Sequence, residues 1–570
     1  MGTVARLTTE TPDMSAPSLV RGVSTPPLID QPIGQVLDAV AARYPDQVAL
    51  VVRHQGVAWT YGALKERVDA LAAALIEWGL KPGDRLGIWA PNRAEWALTQ
   101  FATAKAGVIL VNINPAYRTT EVEYALNKVG CAALIVAPSF KGSNYVAMLR
   151  EIAPELATSA PGQLEAARLP SLRLVVTLGD EPHAGCLCFS GLIASGAHVD
   201  RRRLAELAGV ISSDDPVNIQ FTSGTTGFPK GATLSHRNII NNGYFVGQRI
   251  GLSRGDRLCI PVPLYHCFGM VMGNLACLAH GATMVYPAEA FDPLAVLETV
   301  EAERCTALYG VPTMFIAMLN HPEFGRFDLS SLRTGIMAGS PCPITVMREV
   351  IDRMHMGEVT IAYGMTETSP VSFQSATDDP IELRVSTVGR VQPHLEVKLV
   401  DSSGAIVPRG MAGELCTRGY SVMLGYWDDP ALTAEAIDAE DWMHSGDLAT
   451  IDDDGYCRIV GRIKDMVIRG GENIYPREIE EFLLTHPAIA DAQVIGVPDE
   501  HYGEELCAWI IARPGAVLLE EHVRSFCTGR IAHFKVPRHI HFVSEYPMTV
   551  TGKVQKFAIR EAMIKRLSKS

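Results

Sequence analysis

A glycine-rich loop at residues 222–231 is the part of the chain best suited to chemistry on a phosphate group. It follows an apolar run at 217–221 that is typical of a strand. Small residues let backbone amides approach an anion, hydroxyl groups donate further hydrogen bonds, and a lysine adds positive charge. The residues that we expect to contact phosphate oxygens are Thr222, Ser223, Gly224, Thr225, Thr226, Gly227 and Lys230. The loop is not a Walker A loop, because Pro229 and Gly231 stand where that pattern needs Gly and then Ser or Thr.

Four further short segments follow the loop in the chain. They are Tyr363-Gly364-Met365-Thr366-Glu367-Thr368, Ser445-Gly446-Asp447, Gly461-Arg462-Ile463-Lys464-Asp465 and Thr551-Gly552-Lys553-Val554-Gln555-Lys556. In this order and at these spacings, the five motifs resemble those of the adenylate-forming superfamily. That superfamily contains acyl-CoA synthetases, peptide-synthetase adenylation domains and firefly-type luciferases. The resemblance covers about residues 30 to 565, and the segment at 338–343 is especially similar to medium-chain fatty acyl-CoA synthetases.

The resemblance implies that the chain binds ATP and Mg²⁺ and joins a carboxylate to AMP. Two anions must meet in this step, so cationic and hydrogen-bonding groups carry most of the catalysis. The loop at 222–230 is then expected to hold the β- and γ-phosphates, and Thr366 to bond the α-phosphate. Glu367 is expected to hold Mg²⁺, a hard cation that prefers oxygen ligands. The nucleoside residues implied are Gly339, Ser340, Tyr363 and Gly364 around adenine, with Asp447 and Arg462 at the ribose.

The same resemblance implies a second step, in which the thiol of CoA attacks the acyl-adenylate. Lys553 is the expected catalytic lysine of the first step, because it could reach the carboxylate and the α-phosphate together. The family reaches its second active site by swinging the C-terminal domain about a hinge, and the matching hinge position is Lys464. Gly470 and Gly471 would line the tunnel for the pantetheine arm of CoA, since glycine permits close backbone approach.

The acid is expected to lie beside the segment at 264–269, where His266 would contact the carboxylate or shape the pocket. Amino-acid-activating relatives place an aspartate shortly after this segment. This chain has no aspartate between Arg257 and Asp292, so an amino-acid substrate is not expected. Acetate-specific relatives carry a tryptophan where this chain has Gly364, so the pocket should be deeper than acetate needs. Met365 completes the expected pocket as a flexible apolar filler. Medium-chain aliphatic acids and aryl acids both remain open at this point.

Three other functions compete with an ATP-dependent acyl-CoA ligase. A fatty-acyl-AMP ligase would load a carrier protein, but such relatives tend to carry an insertion near the hinge, where the run at 462–465 leaves no room. A luciferase-like oxygenase could act on the same adenylate. A non-catalytic nucleotide-binding regulator would be expected to have lost some of the four polar residues that this chain retains, namely Glu367, Asp447, Arg462 and Lys553.

Strand-like and helix-like segments alternate through the first half of the chain, which predicts an α/β fold with parallel sheets covered by helices. A strand is predicted at 48–52, and a helix from a cap at Thr60 to a stop at Gly79. Near residue 395 the pattern changes to that of a small β subdomain, and after residue 462 to α+β. We therefore predict a flexible lead-in at 1–28, an AMP-binding N-terminal domain at 29–462, and a mobile C-terminal lid domain at 463–570 that carries Lys553.

Composition limits the partners and the compartment. The chain has 570 residues and a net charge of −13, and the negative charge makes it a poor general nucleic-acid binder. The sequence leaves a homo-oligomer open. Its 12 cysteines form no regular framework, which favours a reducing compartment. We expect a cytoplasmic enzyme, with the mitochondrial matrix as the alternative. The uncharged stretch at 258–288 contains prolines, histidines and glycines, so we interpret it as buried protein beside a pocket rather than a membrane span.

Overall fold

The structure is a computed structural model that describes residues 16–199, 201–222, 229–470, 472–548 and 554–567. The chain forms two compact units. The larger unit takes its described residues from 22–395, 417–444 and 545–570, and the smaller unit from 1–21, 396–416 and 445–544.

Two large sheets form the centre of the larger unit. The eight-stranded sheet contains, in spatial order, Leu187–Cys188, Leu174–Thr177, Ala133–Val136, Arg85–Trp89, Ile109–Asn112, Pro216–Thr222, Lys230–Ser235 and Gly425–Tyr426. The seven-stranded sheet contains Glu358–Thr360, Thr334–Met337, Ala307–Gly310, Arg257–Cys259, Thr283–Tyr286, Val48–Val52 and Val57–Thr60. Most neighbours in both sheets are parallel, with antiparallel strands at one edge of each.

Smaller sheets and many helices complete the larger unit. The strands Ala362–Gly364, Val371–Gln374 and Arg390–Val391 form a three-stranded sheet, and Ser139–Phe140 pairs with Ser143–Asn144. The α-helices are Ile33–Arg43, Tyr61–Glu77, Ala94–Ala106, Thr119–Val129, Tyr145–Ile152, Phe189–Gly196, Arg202–Ala208, His236–Arg249, Ala276–His280, Pro293–Ala302, Pro312–Leu319, Ile344–Met354, Ile381–Ser386, Pro430–Ala436 and Lys556–Leu567. Phe268–Leu275 is a π-helix.

Local sequence explains many of these elements. The strand Val48–Val52 is rich in valine and lies where it was predicted, with both of its faces largely buried. The helix Tyr61–Glu77 begins after Thr60, whose hydroxyl oxygen accepts a hydrogen bond from the Ala63 amide at 3.2 Å. Parallel strands with helices on their faces must be apolar on both sides, as the fully buried strand Ala133–Val136 is.

The smaller unit contains two five-stranded sheets. One has the order Leu19–Arg21, Leu395–Val400, Gly413–Gly419, Met443–Ile451 and Cys457–Arg462. In the other, Glu472–Ile474, Val467–Arg469, Gly503–Ala512 and Ile489–Asp499 follow one another, and His539–Phe542 pairs in parallel with Gly503–Ala512. The α-helices Pro476–Leu484 and Glu520–Cys527 share an apolar core with this second sheet. The predicted α/β class with a small β subdomain and an α+β C-terminal part therefore agrees with the observed elements.

The predicted lead-in at 1–28 needs a correction. Leu19–Arg21 is an edge strand that pairs antiparallel with the strand Leu395–Val400, so this part of the segment is ordered. Ser18 is fully buried and donates its hydroxyl to the Pro408 carbonyl at 3.0 Å. A three-residue strand among prolines and threonines is too short to show a periodic pattern. The boundary at 462–463 stays a prediction, because each compact unit combines several separate stretches of chain.

The uncharged stretch at 258–288 lies inside the larger unit. It forms the end of one strand, the π-helix Phe268–Leu275, the short helix Ala276–His280 and the strand Thr283–Tyr286. Most of its side chains are buried. Within the described part of the chain, no helix combines the length and the apolar character needed to cross a membrane.

Candidate active site

The glycine-rich loop leaves one edge of the eight-stranded sheet and returns to it. Thr222 ends one strand, Lys230 begins the next, and the two residues are opposite each other in the antiparallel register. The Lys230 ammonium lies 5.0 Å from the centre of the Tyr426 ring. Residues 223–228 of the loop, among them Ser223, Gly224, Thr225, Thr226 and Gly227, lie outside the described residues.

The Glu367 carboxylate lies beside the foot of this loop. Glu367 is only 6% exposed and stands in the turn Thr366–Thr368. Its Oε1 atom accepts hydrogen bonds from the Thr222 hydroxyl at 3.2 Å and from the Tyr426 hydroxyl at 2.9 Å. Burial, with the nearby Glu367 carboxylate as a second cause, raises the pKa of Tyr426 well above its usual value. Tyr426 therefore remains a hydrogen-bond donor at all physiological pH values.

Tyr426 is a candidate functional residue that the sequence analysis missed. It lies 59 positions after Glu367 and belongs to a two-residue edge strand, so no local spacing connects the two. The useful signal would have been that a buried carboxylate needs donors. Among the described residues, the hydrogen bonds recorded for the Glu367 carboxylate both end on Oε1, and both come from neutral hydroxyl groups. The donor set leaves a carboxylate oxygen for a hard cation such as Mg²⁺.

A tight turn places the threonine motif. The Met365 amide donates to the Pro370 carbonyl at 2.9 Å, and the Thr368 hydroxyl donates to the same carbonyl at 2.8 Å. A Cβ atom on Gly364 would lie 1.7 Å from that carbonyl oxygen. Packing of this turn therefore favours glycine at 364, and the pocket depth expected from this glycine stays a prediction.

The candidate adenine residues leave one edge of the seven-stranded sheet. Gly339 follows the strand Thr334–Met337, and Tyr363 follows the parallel neighbour Glu358–Thr360. The carboxyl ends of neighbouring parallel strands share an edge, where open α/β sheets bind ligands. Gly339 has a φ of +95°, which favours glycine, and the next residue, Ser340, is exposed.

His266 lies in a turn directly before the π-helix. Its Nδ1 atom accepts a hydrogen bond from the Phe268 amide at 3.1 Å, so a neutral ring carries its proton on Nε2. The next residue, Cys267, donates its thiol to the Gln220 amide oxygen at 3.1 Å. Burial raises the pKa of the Cys267 thiol to about 12, so the thiol keeps its proton.

Buried side-chain amides form a hydrogen-bonded chain beside Cys267 and the π-helix. The Gln220 amide group donates to the Met270 sulfur at 3.0 Å and to the Asn218 side chain at 2.8 Å. Asn218 in turn donates to the Asn112 side chain at 3.0 Å. Sequence analysis missed Gln220 and Cys267. The only signal for Gln220 is that it is a polar residue within the apolar run that precedes the loop, and Cys267 lies within the segment at 264–269 beside His266. Met365, expected in the acyl pocket, is half-buried and packs against the main core.

Asp447 and Arg462 are paired within the smaller unit. They lie opposite each other on the antiparallel strands Met443–Ile451 and Cys457–Arg462. The Arg462 Nε atom donates to the Asp447 carboxylate at 3.0 Å, and the Ser445 hydroxyl accepts from the Asp447 amide at 3.1 Å. The structure thus brings together the two residues expected at a ribose, with the carboxylate largely buried and the guanidinium half-exposed.

The remaining predicted residues lie in the smaller unit or outside the described chain. Lys464 is exposed in the turn Ile463–Asp465, which directly follows the strand that carries Arg462. Gly470 has a φ of +58° at the tip of a hairpin between Val467–Arg469 and Glu472–Ile474. Gly471 and Lys553 lie outside the described residues, so the predicted roles of both stay predictions.

Comparisons with known proteins identify the family. A family model described as "AMP-binding enzyme" matches residues 37–427, and one described as "AMP-binding enzyme C-terminal domain" matches residues 478–553. The chain is 49% identical to a mitochondrial medium-chain acyl-CoA ligase, ACSF2, of Danio rerio, over 96% of this chain and 91% of that protein. It is 48% identical to the putative acyl-CoA synthetase YngI of Bacillus subtilis (strain 168), over 95% of this chain and 99% of YngI.

Solved structures agree with these matches. The anthranilate CoA ligase AuaEII in complex with anthranoyl-AMP is similar with a TM-score of 0.83 at 27% identity, covering 96% of this chain and 99% of that one. ATP-bound MatB from Rhodopseudomonas palustris is similar with a TM-score of 0.80 at 28% identity, covering 93% and 99%. These findings confirm the resemblance to adenylate-forming enzymes and the predicted fold class. The chain belongs to the AMP-binding enzyme family.

Proposed function

We propose that this protein is an ATP-dependent acyl-CoA ligase that activates a medium-chain fatty acid. The acid becomes an acyl-adenylate with release of pyrophosphate, and CoA then displaces AMP to give the thioester. The names of the curated relatives support an AMP-forming acid–thiol ligase and favour it over a ligase that loads a carrier protein. The structural observation that carries the proposal is the buried Glu367 carboxylate, bonded to neutral hydroxyl groups at the foot of the phosphate loop.

Glu367 fits a magnesium ion that arrives with ATP. The carboxylate is buried, its described hydrogen-bond donors are neutral, and one of its oxygens receives no hydrogen bond from the described residues. Such a group is costly to bury without a cation. When bound, Mg²⁺ would neutralise part of the charge on the phosphates. Thr222 and Tyr426 would hold the Glu367 carboxylate in one orientation before that ion binds.

The first step needs an in-line attack of the carboxylate on the α-phosphate. We propose that the loop from Thr222 to Lys230 binds the β- and γ-phosphates and orients the leaving pyrophosphate. The Thr366 hydroxyl would donate to an α-phosphate oxygen. Lys553 would place its ammonium between the carboxylate and the α-phosphate, offsetting the repulsion of the two anions.

The nucleoside contacts follow from residue chemistry. We propose that Tyr363 stacks on adenine, with Gly339 and Ser340 beside the base. An ionised carboxylate accepts hydrogen bonds from two neighbouring hydroxyls, so Asp447 is suited to the ribose. The 3.0 Å bond from Arg462 fixes the orientation of that carboxylate. The hinge role of Lys464 and the CoA-tunnel roles of Gly470 and Gly471 are proposed from the resemblance.

The acid would lie between His266 and the π-helix. His266 presents an Nε2 proton when neutral, which suits a hydrogen bond to a carboxylate oxygen. The π-helix carries Met270 and Met272, both buried, and π-helical segments are frequent at functional sites. Met365 adds a third flexible apolar side chain. An unbranched alkyl chain would suit such a lining, and the relatives named as medium-chain acyl-CoA ligases support this substrate class.

The experiment measures thioester and AMP production from ATP, Mg²⁺ and CoA over acids from acetate to palmitate, with benzoates and cinnamates alongside. A maximum between hexanoate and dodecanoate is expected. A maximum among the benzoates would replace the fatty acid by an aryl acid. Pyrophosphate exchange without any thioester would move the acceptor from CoA to another nucleophile. Absence of exchange with every acid would contradict the enzymatic function itself.

Compartment and oligomeric state stay predictions. A cytoplasmic enzyme is expected from the cysteine pattern, whereas the animal relatives carry the word mitochondrial in their names. Fractionation of the cells that make this protein, followed by immunoblotting, would decide between the two compartments.

A further inference from the structure

A hairpin in the smaller unit carries the turn that the proposed function assigns to the CoA tunnel. Its strands are Val467–Arg469 and Glu472–Ile474, and Gly470 stands in the turn between them. The Gly470 amide donates to the Tyr502 carbonyl at 2.8 Å. A Cβ atom on Gly470 would lie 3.2 Å from the Tyr502 ring, so the turn packs closely on that residue.

A buried carboxylate contacts Arg469, the last residue of the first hairpin strand. Glu505, on the strand Gly503–Ala512, is 1% exposed. Its Oε1 atom accepts from the Arg469 Nε at 2.7 Å and from the Leu506 amide at 3.0 Å. Its Oε2 atom lies 3.9 Å from an Arg538 nitrogen and has no hydrogen-bond partner among the described residues. An ionised group is so deeply buried only when cations compensate its charge.

Arg469 is held from two sides. Glu505 bonds its Nε atom, and the Tyr502 ring lies under its guanidinium, with 3.9 Å between Cζ and the ring centre. The hydrogen bond from Glu505 is the main reason that the pKa of Arg469 is raised above its usual value. Arg469 directly precedes Gly470, so the orientation of its side chain and the path of the turn are coupled. Ion pair, ring stacking and backbone hydrogen bond together determine where the turn begins.

We propose that Glu505 is a positioning residue for the thioester-forming half-reaction, acting through Arg469 and Tyr502 on the turn at Gly470. Glu505 would contact neither ATP nor the acid. It holds the backbone past which the pantetheine arm of CoA reaches the acyl-adenylate. The inference rests on the proposed function. It goes beyond that function by assigning Glu505 to one of the two half-reactions.

The test separates the two half-reactions. Glu505→Gln keeps the shape of the side chain but removes the charge that orients Arg469. The rate of CoA-dependent conversion of synthetic acyl-AMP should fall about 10- to 100-fold, since a small displacement of a positioning group lowers the rate by that order. The KM of the variant for CoA should rise. Pyrophosphate exchange with ATP and acid should stay within about twofold of the parent. Glu481→Gln is the matched control, because it breaks an exposed ion pair with Arg477 in the same unit.

A second variant covers the case in which Glu505→Gln does not fold. Tyr502→Leu removes the ring under Arg469 but leaves the buried ion pair, and it should lower the same half-reaction by a smaller factor. An unchanged thioester step in both variants would overturn the proposal. So would an equal fall of both half-reactions in folded Glu505→Gln, because a general structural role would produce that result. A parent enzyme without pyrophosphate exchange would refute the proposed function instead.

Discussion

Removal of one hydroxyl group, in Tyr426→Phe, tests the candidate magnesium ligand most directly. The Tyr426 hydroxyl donates to Glu367 at 2.9 Å, and the carboxylate is only 6% exposed. Bulk water can replace the lost donor only in part. A hydrogen bond to a charged group contributes about 1.5–3 kcal/mol. At about 1.4 kcal/mol per factor of ten, kcat/KM for MgATP in adenylate formation should fall about 10- to 100-fold.

The assay is ATP–pyrophosphate exchange measured against MgATP and against free Mg²⁺, with unfolding followed separately. Tyr61→Phe is a matched control, because the Tyr61 hydroxyl is also buried and donates to two backbone carbonyls, at 3.1 and 2.7 Å. It should lose comparable stability without a change in the Mg²⁺ dependence. A folded Tyr426→Phe variant with the parent value of kcat/KM would refute the assignment of Glu367 to the metal.

Four other variants test the chemistry and the packing. Lys553→Ala should lower adenylate formation about 100- to 1,000-fold yet leave thioester formation from supplied acyl-AMP intact. Lys464→Pro should do the reverse by restricting the hinge, and equal losses in both half-reactions would contradict two conformations. Gly364→Ala should lower the thermal midpoint and the expression yield, because the new Cβ would lie 1.7 Å from a backbone oxygen. Gly357→Ala is the control, because a Cβ atom there would meet no other atom within 4 Å. Burial lowers the pKa of His236 to about 3 from an ordinary 6.5, so the unfolded chain binds the extra proton and stability falls as pH drops through that window. His236→Asn should flatten that acid limb by about one proton in urea titrations, and an unchanged slope would contradict the assignment.

The sequence alone predicted features that depend on local patterns. The valine-rich strand at 48–52 follows from a short, continuous apolar run, and the helix after Thr60 follows from helical spacing and capping; neither signal needs a distant partner. The ordered motifs identified the family, because each motif combines residue types that phosphate or ribose chemistry demands. The pairing of Asp447 with Arg462 agrees with their shared expected role, since a short hairpin connects their strands.

The tertiary structure decided features that depend on long-range contacts. Tyr426 meets Glu367 across 59 positions and Thr222 meets it across 145, and no local period records such a distance. The π-helix at 268–275 departs from the 3.6-residue period on which sequence patterns are judged. Local preferences thus determined which elements form and which chemistry they carry. Packing determined which groups hold the Glu367 carboxylate, because a buried charge is stabilised only by donors that the fold brings to it.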